Sequence, residues 1–181
     1  YGPPRGDVRL VVISDLNSAY GSTDYDPEVD QAIDLIPLWQ PDLVVCGGDM
    51  VAGQRASLTR GQIQAMWAAF DDHVAAPLRQ AQIPFGVTVG NHDASSAWRD
   101  NRFIFQRERD LAAAYWQDSA HDPGVDFVDR DDFPFYYSFQ QGDVFVVVWD
   151  GSSSSIPSEK LAREERTLAS PAAQEAKMRI V

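Results

Sequence analysis

Three apolar, β-branched runs, at residues 8–13, 42–46 and 85–89, each stop at a short polar turn. The turns are Ser14-Asp15-Leu16-Asn17, Gly47-Gly48-Asp49-Met50 and Gly90-Asn91-His92-Asp93. Short apolar runs bounded by turn residues predict buried strands, of the kind a parallel sheet uses when helices cover it. The intervening segments carry helical periodicity. Asp26-Pro27-Glu28 places a capping acid, a first-turn proline and a dipole-favoured acid at a helix start. Val29, Ile33 and Ile36 follow at helical spacing, and that helix ends near Pro41. Residues 59–82 predict a long amphipathic helix with Ile63, Met66, Trp67, Phe70, Val74 and Leu78 on one stripe. Strand, helix, strand, helix, strand in this rhythm predicts right-handed crossovers and a parallel sheet.

Beyond the third turn the pattern changes. Residues 98–117 predict a further helix with Ile104, Leu111 and Tyr115 inward, and the acidic stretch 118–132 reads as a surface loop. Residues 135–140 and 144–149 flank Gln141-Gly142-Asp143 as a β-hairpin, with Phe133, Phe135, Tyr136, Tyr137 and Phe139 packing its face. Residues 151–155 form a serine-rich flexible run, and Ser158 opens a charged helix. The last residues, 177–181, read as the start of another strand.

A chain of 181 residues with 44% hydrophobic content predicts one folded domain, 1–181. No apolar stretch approaches the ~20 residues of a membrane span. The net charge of −12 gives no basic footprint for nucleic acid. A bound cation would still create a positive spot within that acidic shell, so a small phosphate ester is not excluded. The single Cys46 excludes an intramolecular disulfide and a cysteine-rich zinc site, and its strand position predicts a buried core residue. Tyr1 in place of Met is compatible with a removed signal or with trimming, so no compartment follows.

The C-terminal ends of parallel strands are where an α/β sheet builds its crevice. Asp15, Asp49 and Asn91 can converge there, and oxygen donors of this type suit divalent cations. Asp49, after two glycines that let the backbone approach closely, suits a position bridging two cations ~3.5–4 Å apart. Asn17 reads equally as a further ligand or as a turn residue capping local backbone. His92 cannot point the same way as Asn91, so it is expected over the open face, protonating a leaving oxygen or binding phosphate. Asp93 is expected to orient that imidazole. Taken singly, each Asp or Asn is an ordinary turn residue; three in step with His-Asp attached favour a site. His73 and His121 read as surface residues. The serine run has no neighbouring histidine to make it nucleophilic.

These three runs resemble the first three motifs of the calcineurin-like metallophosphoesterases, Asp-x-His, Gly-Asp-x-x and Gly-Asn-His-Asp/Glu, in order and in strand context. The resemblance covers essentially the whole chain. It implies an α/β fold of the four-layer αββα sandwich type and hydrolysis of phosphomonoesters or diesters. Two divalent metal ions (Mn, Fe, Zn or Mg) are implied, with a metal-bound hydroxide as nucleophile and a small phosphate ester as substrate. By the same resemblance Asp15, Asp49 and Asn91 would be metal ligands, with Asn17 beside them, and His92 the acid or phosphate-contacting residue.

Two departures stand out. Asn17 occupies the place where the family usually has histidine, which predicts a weaker site or a harder ion. The family's later motifs, a histidine on one strand and Gly-His-x-His on another, are missing, and His121 comes too early to replace them. The expectation is therefore a domain incomplete at its C-terminus, whose final strand leads toward the first missing histidine. An unpaired apolar sheet edge would then favour a dimer. One competing reading is a degenerate, non-catalytic relative that keeps the fold for binding. A nucleotide-binding α/β domain ranks lower, because no Gly-x-Gly-x-x-Gly or Gly-Lys-Ser/Thr loop is present.

Overall fold

Ile13, Cys46 and Val87 lie side by side across one parallel sheet, which brings the three strand ends into step. A computed structural model describes residues 6–17, 19–154 and 156–181. The sheet has the order β1 (Leu10–Ile13), β2 (Leu43–Cys46), β3 (Phe85–Val87), all parallel as expected. The central strand β2 has Leu43 and Val44 wholly buried, and β3 is buried throughout. The outer β1 departs from the expected buried strand. Val12 is 71% exposed and lines an open cleft.

The first crossover is α1 (Pro27–Trp39), which buries Ile33 and Ile36. The second starts at α2 (Arg60–Phe70), closed at its N-terminus by a reciprocal Thr59–Gln62 capping box. The expected long helix does run on, but through a π segment at Asp71–Ala75 before α3 (Ala76–Gln80). Pro77 has no N–H to offer the carbonyl of His73, and the N–H of Ala76 reaches back to Asp71 instead.

Two expectations are corrected. Residues 98–103 form an antiparallel hairpin, β4 (Trp98–Arg99) and β5 (Arg102–Phe103), and helix α5 (Gln106–Gln117) starts only after it. Asp100 and Asn101 both adopt positive φ, 50° and 58°, the conformation of a primed two-residue turn. Ile104 is accordingly 41% exposed instead of packed inward. The acidic stretch is not wholly a loop either, since β6 (Asp126–Asp132) pairs with β7 (Tyr136–Gln141). Asp126, Val128 and Arg130 alternate outward along β6 while Phe127 turns to the core.

The second sheet has the order β6-β7-β8-β9, with β8 (Val144–Trp149) forming the expected hairpin with β7. The expected last strand is β9 (Met178–Ile180), parallel to β8. The two sheets meet through Tyr137, whose hydroxyl donates to the Val87 carbonyl at 2.6 Å and accepts from the Val87 N–H at 2.8 Å. Gly86 makes room there, since a Cβ on it would lie 2.7 Å from the Phe139 ring. On the other face of β7 and β8, Tyr136, Phe145 and Val147 pack with Ala173 of α7 (Pro171–Glu175). The chain is thus a mixed α/β protein of several sheets and helices. None of its described helices is long and apolar enough to cross a membrane.

Candidate active site

Each strand-end turn is fastened to the next through its backbone. The N–H of Asp15 donates to the Gly48 carbonyl at 3.1 Å, and the N–H of Leu16 to the Asp49 carbonyl at 3.0 Å. Asp15 and Asp49 both hold positive φ, 55° and 53°, an uncommon state for residues with a side chain. Gly48, at φ 103°, lets the second turn come against Gly90 of the third. Gly90 in turn opens the short helix α4 (Asn91–Ala94), whose His92 N–H donates to Asp49 Oδ1 at 2.9 Å.

Asp15, Asp49 and Asn91 line one cleft of about 430 Å³, whose walls also include Trp149 and Ser152. One oxygen of each carboxylate is engaged: Asp15 Oδ2 accepts from Ser14 Oγ at 2.6 Å, and Asp49 Oδ1 from His92. The Asn91 amide nitrogen donates to Gln54 Oε1 at 2.9 Å, which fixes its amide plane. Asn17 is not among the residues lining the cleft. Its Nδ2 donates to the Asp49 carbonyl at 2.7 Å, the backbone-capping role that the sequence had left level with ligation.

His92 points elsewhere than Asn91, as expected. Its ring stacks on Tyr20 with centroids 5.0 Å apart. Its Nδ1 is buried and has no hydrogen-bond partner among the described residues. The expected support from Asp93 is replaced by a different role. Asp93 is buried, and its oxygens accept from the N–H groups of Val51 and Gly90 at 2.9 and 2.8 Å. Burial pushes its carboxyl up to about 7, against the downward pull of those N–H groups. Asp93 therefore ties the second turn to the third instead of steering the imidazole.

Three residues that the sequence did not single out also shape the site. Glu108 of α5 is buried and accepts from the backbone N–H groups of Gln54 and Arg55 at 2.8 and 3.2 Å. The Gly53 N–H donates to the His92 carbonyl, and a Cβ on Gly53 would strike both that carbonyl and Glu108. Gln54, Glu108 and Tyr20 carry no local signal: one is a loop amide, one an acid among many, one an exposed loop aromatic.

The remaining polar candidates are placed outside the cleft or given structural work. His73 is half-buried and paired with Asp30 at 2.7 Å, not freely solvated. His121 stacks on Tyr115 at 4.0 Å and bonds its carbonyl. Ser152, expected in a flexible run, is buried. Its hydroxyl bonds Asp150 and the Ala94 carbonyl and accepts from the Ser96 N–H. Ser155 and Tyr1 lie outside the described residues.

A parallel sheet whose strand-end turns bring two carboxylates and an amide to one cleft defines an α/β protein with its crevice at the carboxyl ends of the strands. The family model for calcineurin-like phosphoesterases matches residues 8–177, and the chain belongs to that family. Phosphoester hydrolysis is the general chemistry of the family, and its members generally bind divalent metals. No curated protein gives a significant match to the chain.

Among the described residues, no three His, Cys, Asp or Glu side chains gather within reach of one cation. The cleft instead offers two carboxylates and one amide, an all-oxygen set. That set fits a hard divalent cation whose shell is completed by water.

Proposed function

We propose that the chain hydrolyses small phosphate esters at the strand-end cleft, with Asp15, Asp49 and Asn91 holding divalent cations, two in the full site. The observation that carries this reading is the joint presence of those three oxygen donors in one cleft, on turns locked together by backbone contacts. Bound there, divalent cations would supply Lewis acidity to the phosphoryl oxygens and an activated water for in-line attack. The chain's own contributions are positional. Asp49 is held by the His92 N–H, Asn91 by Gln54, and both turns by the buried Asp93. In this reading His92 is the proton donor to the leaving oxygen, and its ring is braced by Tyr20. The four-layer αββα arrangement of the family belongs to the same proposal, supported by two sheets that share a core and a helix packed on the far face of the second.

The test pairs manganese titration by calorimetry with hydrolysis of p-nitrophenyl phosphate and bis-p-nitrophenyl phosphate. Asp49→Asn is expected to abolish metal-dependent turnover, and full activity in that variant would sink the proposal. A second reading, a non-catalytic relative acting as a binding domain, is favoured by the Asn17 amide being spent on the Asp49 carbonyl. Tight metal binding with turnover of either ester rules it out. Absence of both supports it.

A further inference from the structure

Arg99 and Arg102 are direct cross-strand partners in the β4–β5 hairpin, two like charges placed opposite each other. Such pairs destabilise a hairpin unless something neutralises them. Arg55 and Arg107 join them around a single pocket of about 410 Å³, floored by Phe103, Phe105 and Leu58. The only acids in its lining are Asp100 and Glu108, and the Glu108 carboxylate is already spent on the Gln54 and Arg55 N–H groups. Among the described residues, no side-chain hydrogen bond or ion pair engages Arg55, Arg99 or Arg102, while Arg107 donates to the Leu58 carbonyl at 2.9 Å.

This is unexpected in a chain with 27 acidic and 15 basic residues, where an exposed arginine meets a carboxylate easily. Four of those basic residues face one pocket instead. Gln106 and Arg107, the first two residues of α5, also line it, and that helix has no side-chain N-cap. Its dipole adds to the positive potential. Gln54 joins the pocket to the strand-end cleft: its N–H donates to Glu108, and its side-chain oxygen accepts from Asn91.

We propose that this arginine pocket binds a phosphate-class oxyanion, the second anionic group of a substrate whose scissile phosphate lies at the strand-end cleft. The planar guanidinium fork suits bidentate recognition of phosphate oxygens. The substrate half of the proposal rests on the phosphoesterase reading; the oxyanion half stands without it.

The test has two arms. In the first, pyrophosphate is titrated into the chain in excess chelator by calorimetry, so that no metal site takes part. The parent binds one equivalent, and affinity falls with added salt. Arg99→Gln/Arg102→Gln weakens binding about tenfold or more, the scale of lost charge-assisted hydrogen bonds. Arg166→Gln on α6 (Ser158–Leu168) removes a charge elsewhere and leaves the affinity unchanged. Equal weakening by Arg166→Gln, or none by the hairpin double variant, overturns the proposal.

The second arm compares hydrolysis of an alkanediol bisphosphate with that of the matching alkyl monophosphate. The hairpin double variant raises KM for the bisphosphate alone. An equal rise for both esters overturns the distal-group assignment. If neither ester is hydrolysed, the phosphoesterase reading fails together with that assignment. The oxyanion assignment is then judged by the first arm.

Discussion

A Cβ placed on Gly48 would lie 2.6 Å from the backbone nitrogen of Gly90, so two of the strand-end turns meet backbone to backbone. Gly48 also holds φ 103°, where a side chain is strained whatever space is available. Gly48→Ala is therefore expected to cost about 1–3 kcal/mol, combining backbone strain with forced separation of the turns. Because Asp49 and Asn91 are the neighbours of those glycines, manganese affinity should fall along with stability. Urea unfolding and calorimetric titration of one variant check both. A metal affinity that survives while stability drops would disconnect the glycine contact from ligand placement.

His92 invites a test by leaving group. A proton donor matters most when the departing oxygen is strongly basic. His92→Asn should depress turnover of alkyl phosphates by about a hundredfold or more, and that of p-nitrophenyl phosphate much less. The ratio of the two rate losses is the measurement. Equal losses would assign His92 to phosphate binding instead. Tyr20→Leu, which removes the ring stacked on it, should reproduce the same selectivity in weaker form.

The parallel sheet and its three turns were readable because each strand is short, apolar and closed by a turn residue. Other features were hidden for identifiable reasons. Ile104, Leu111 and Tyr115 fall at helical spacing, and only Asp100-Asn101 marks the hairpin turn. In β6 four acids obscure a period-two pattern whose inward member is Phe127. Asp93 follows His92 directly, yet successive residues of a helical turn point about 100° apart. Its carboxylate therefore meets Val51 and Gly90 instead of the imidazole. The Gln54–Glu108 contact spans 54 residues and leaves no local trace.

Arg109 and Asp150 form a buried ion pair at 2.8 Å, with the guanidinium held between the rings of Phe103 and Phe135 at 4.2 and 4.0 Å. Arg109 also donates to the Ala94 carbonyl at 2.6 Å, fastening the end of the helix that carries Asn91 and His92. Removing Arg109 leaves the buried Asp150 carboxylate with the longer Lys160 contact at 3.7 Å in place of a close ion pair. Arg109→Met should therefore cost about 3–5 kcal/mol, and Arg109→Met/Asp150→Leu should recover much of that loss. A double-mutant cycle by urea unfolding gives the coupling. Strict additivity would mean that the pair contributes nothing beyond its separate parts.

Glu108 gives a pH signature of known sign. Burial raises its carboxyl above the ordinary glutamate value, outweighing the N–H groups of Gln54 and Arg55 and the nearby charges of His92 and Arg107, all of which pull it down. The folded chain then holds this proton more tightly than the unfolded one. The resulting stability is fully present below the unfolded value, about 4.3, and is lost as pH rises through the higher folded value. Glu108→Gln cannot ionise, so its stability should lack that component of the pH dependence. It also sets an amide NH2 against one of the two N–H donors, a loss of about 1–3 kcal/mol at acidic pH. Unfolding free energies of parent and variant, measured from acidic to neutral pH, should differ most at the acidic end and converge as pH rises. Curves that stay parallel would show that Glu108 titrates alike in the folded and unfolded chain, and that its carboxylate is fully compensated by the Gln54 and Arg55 N–H groups.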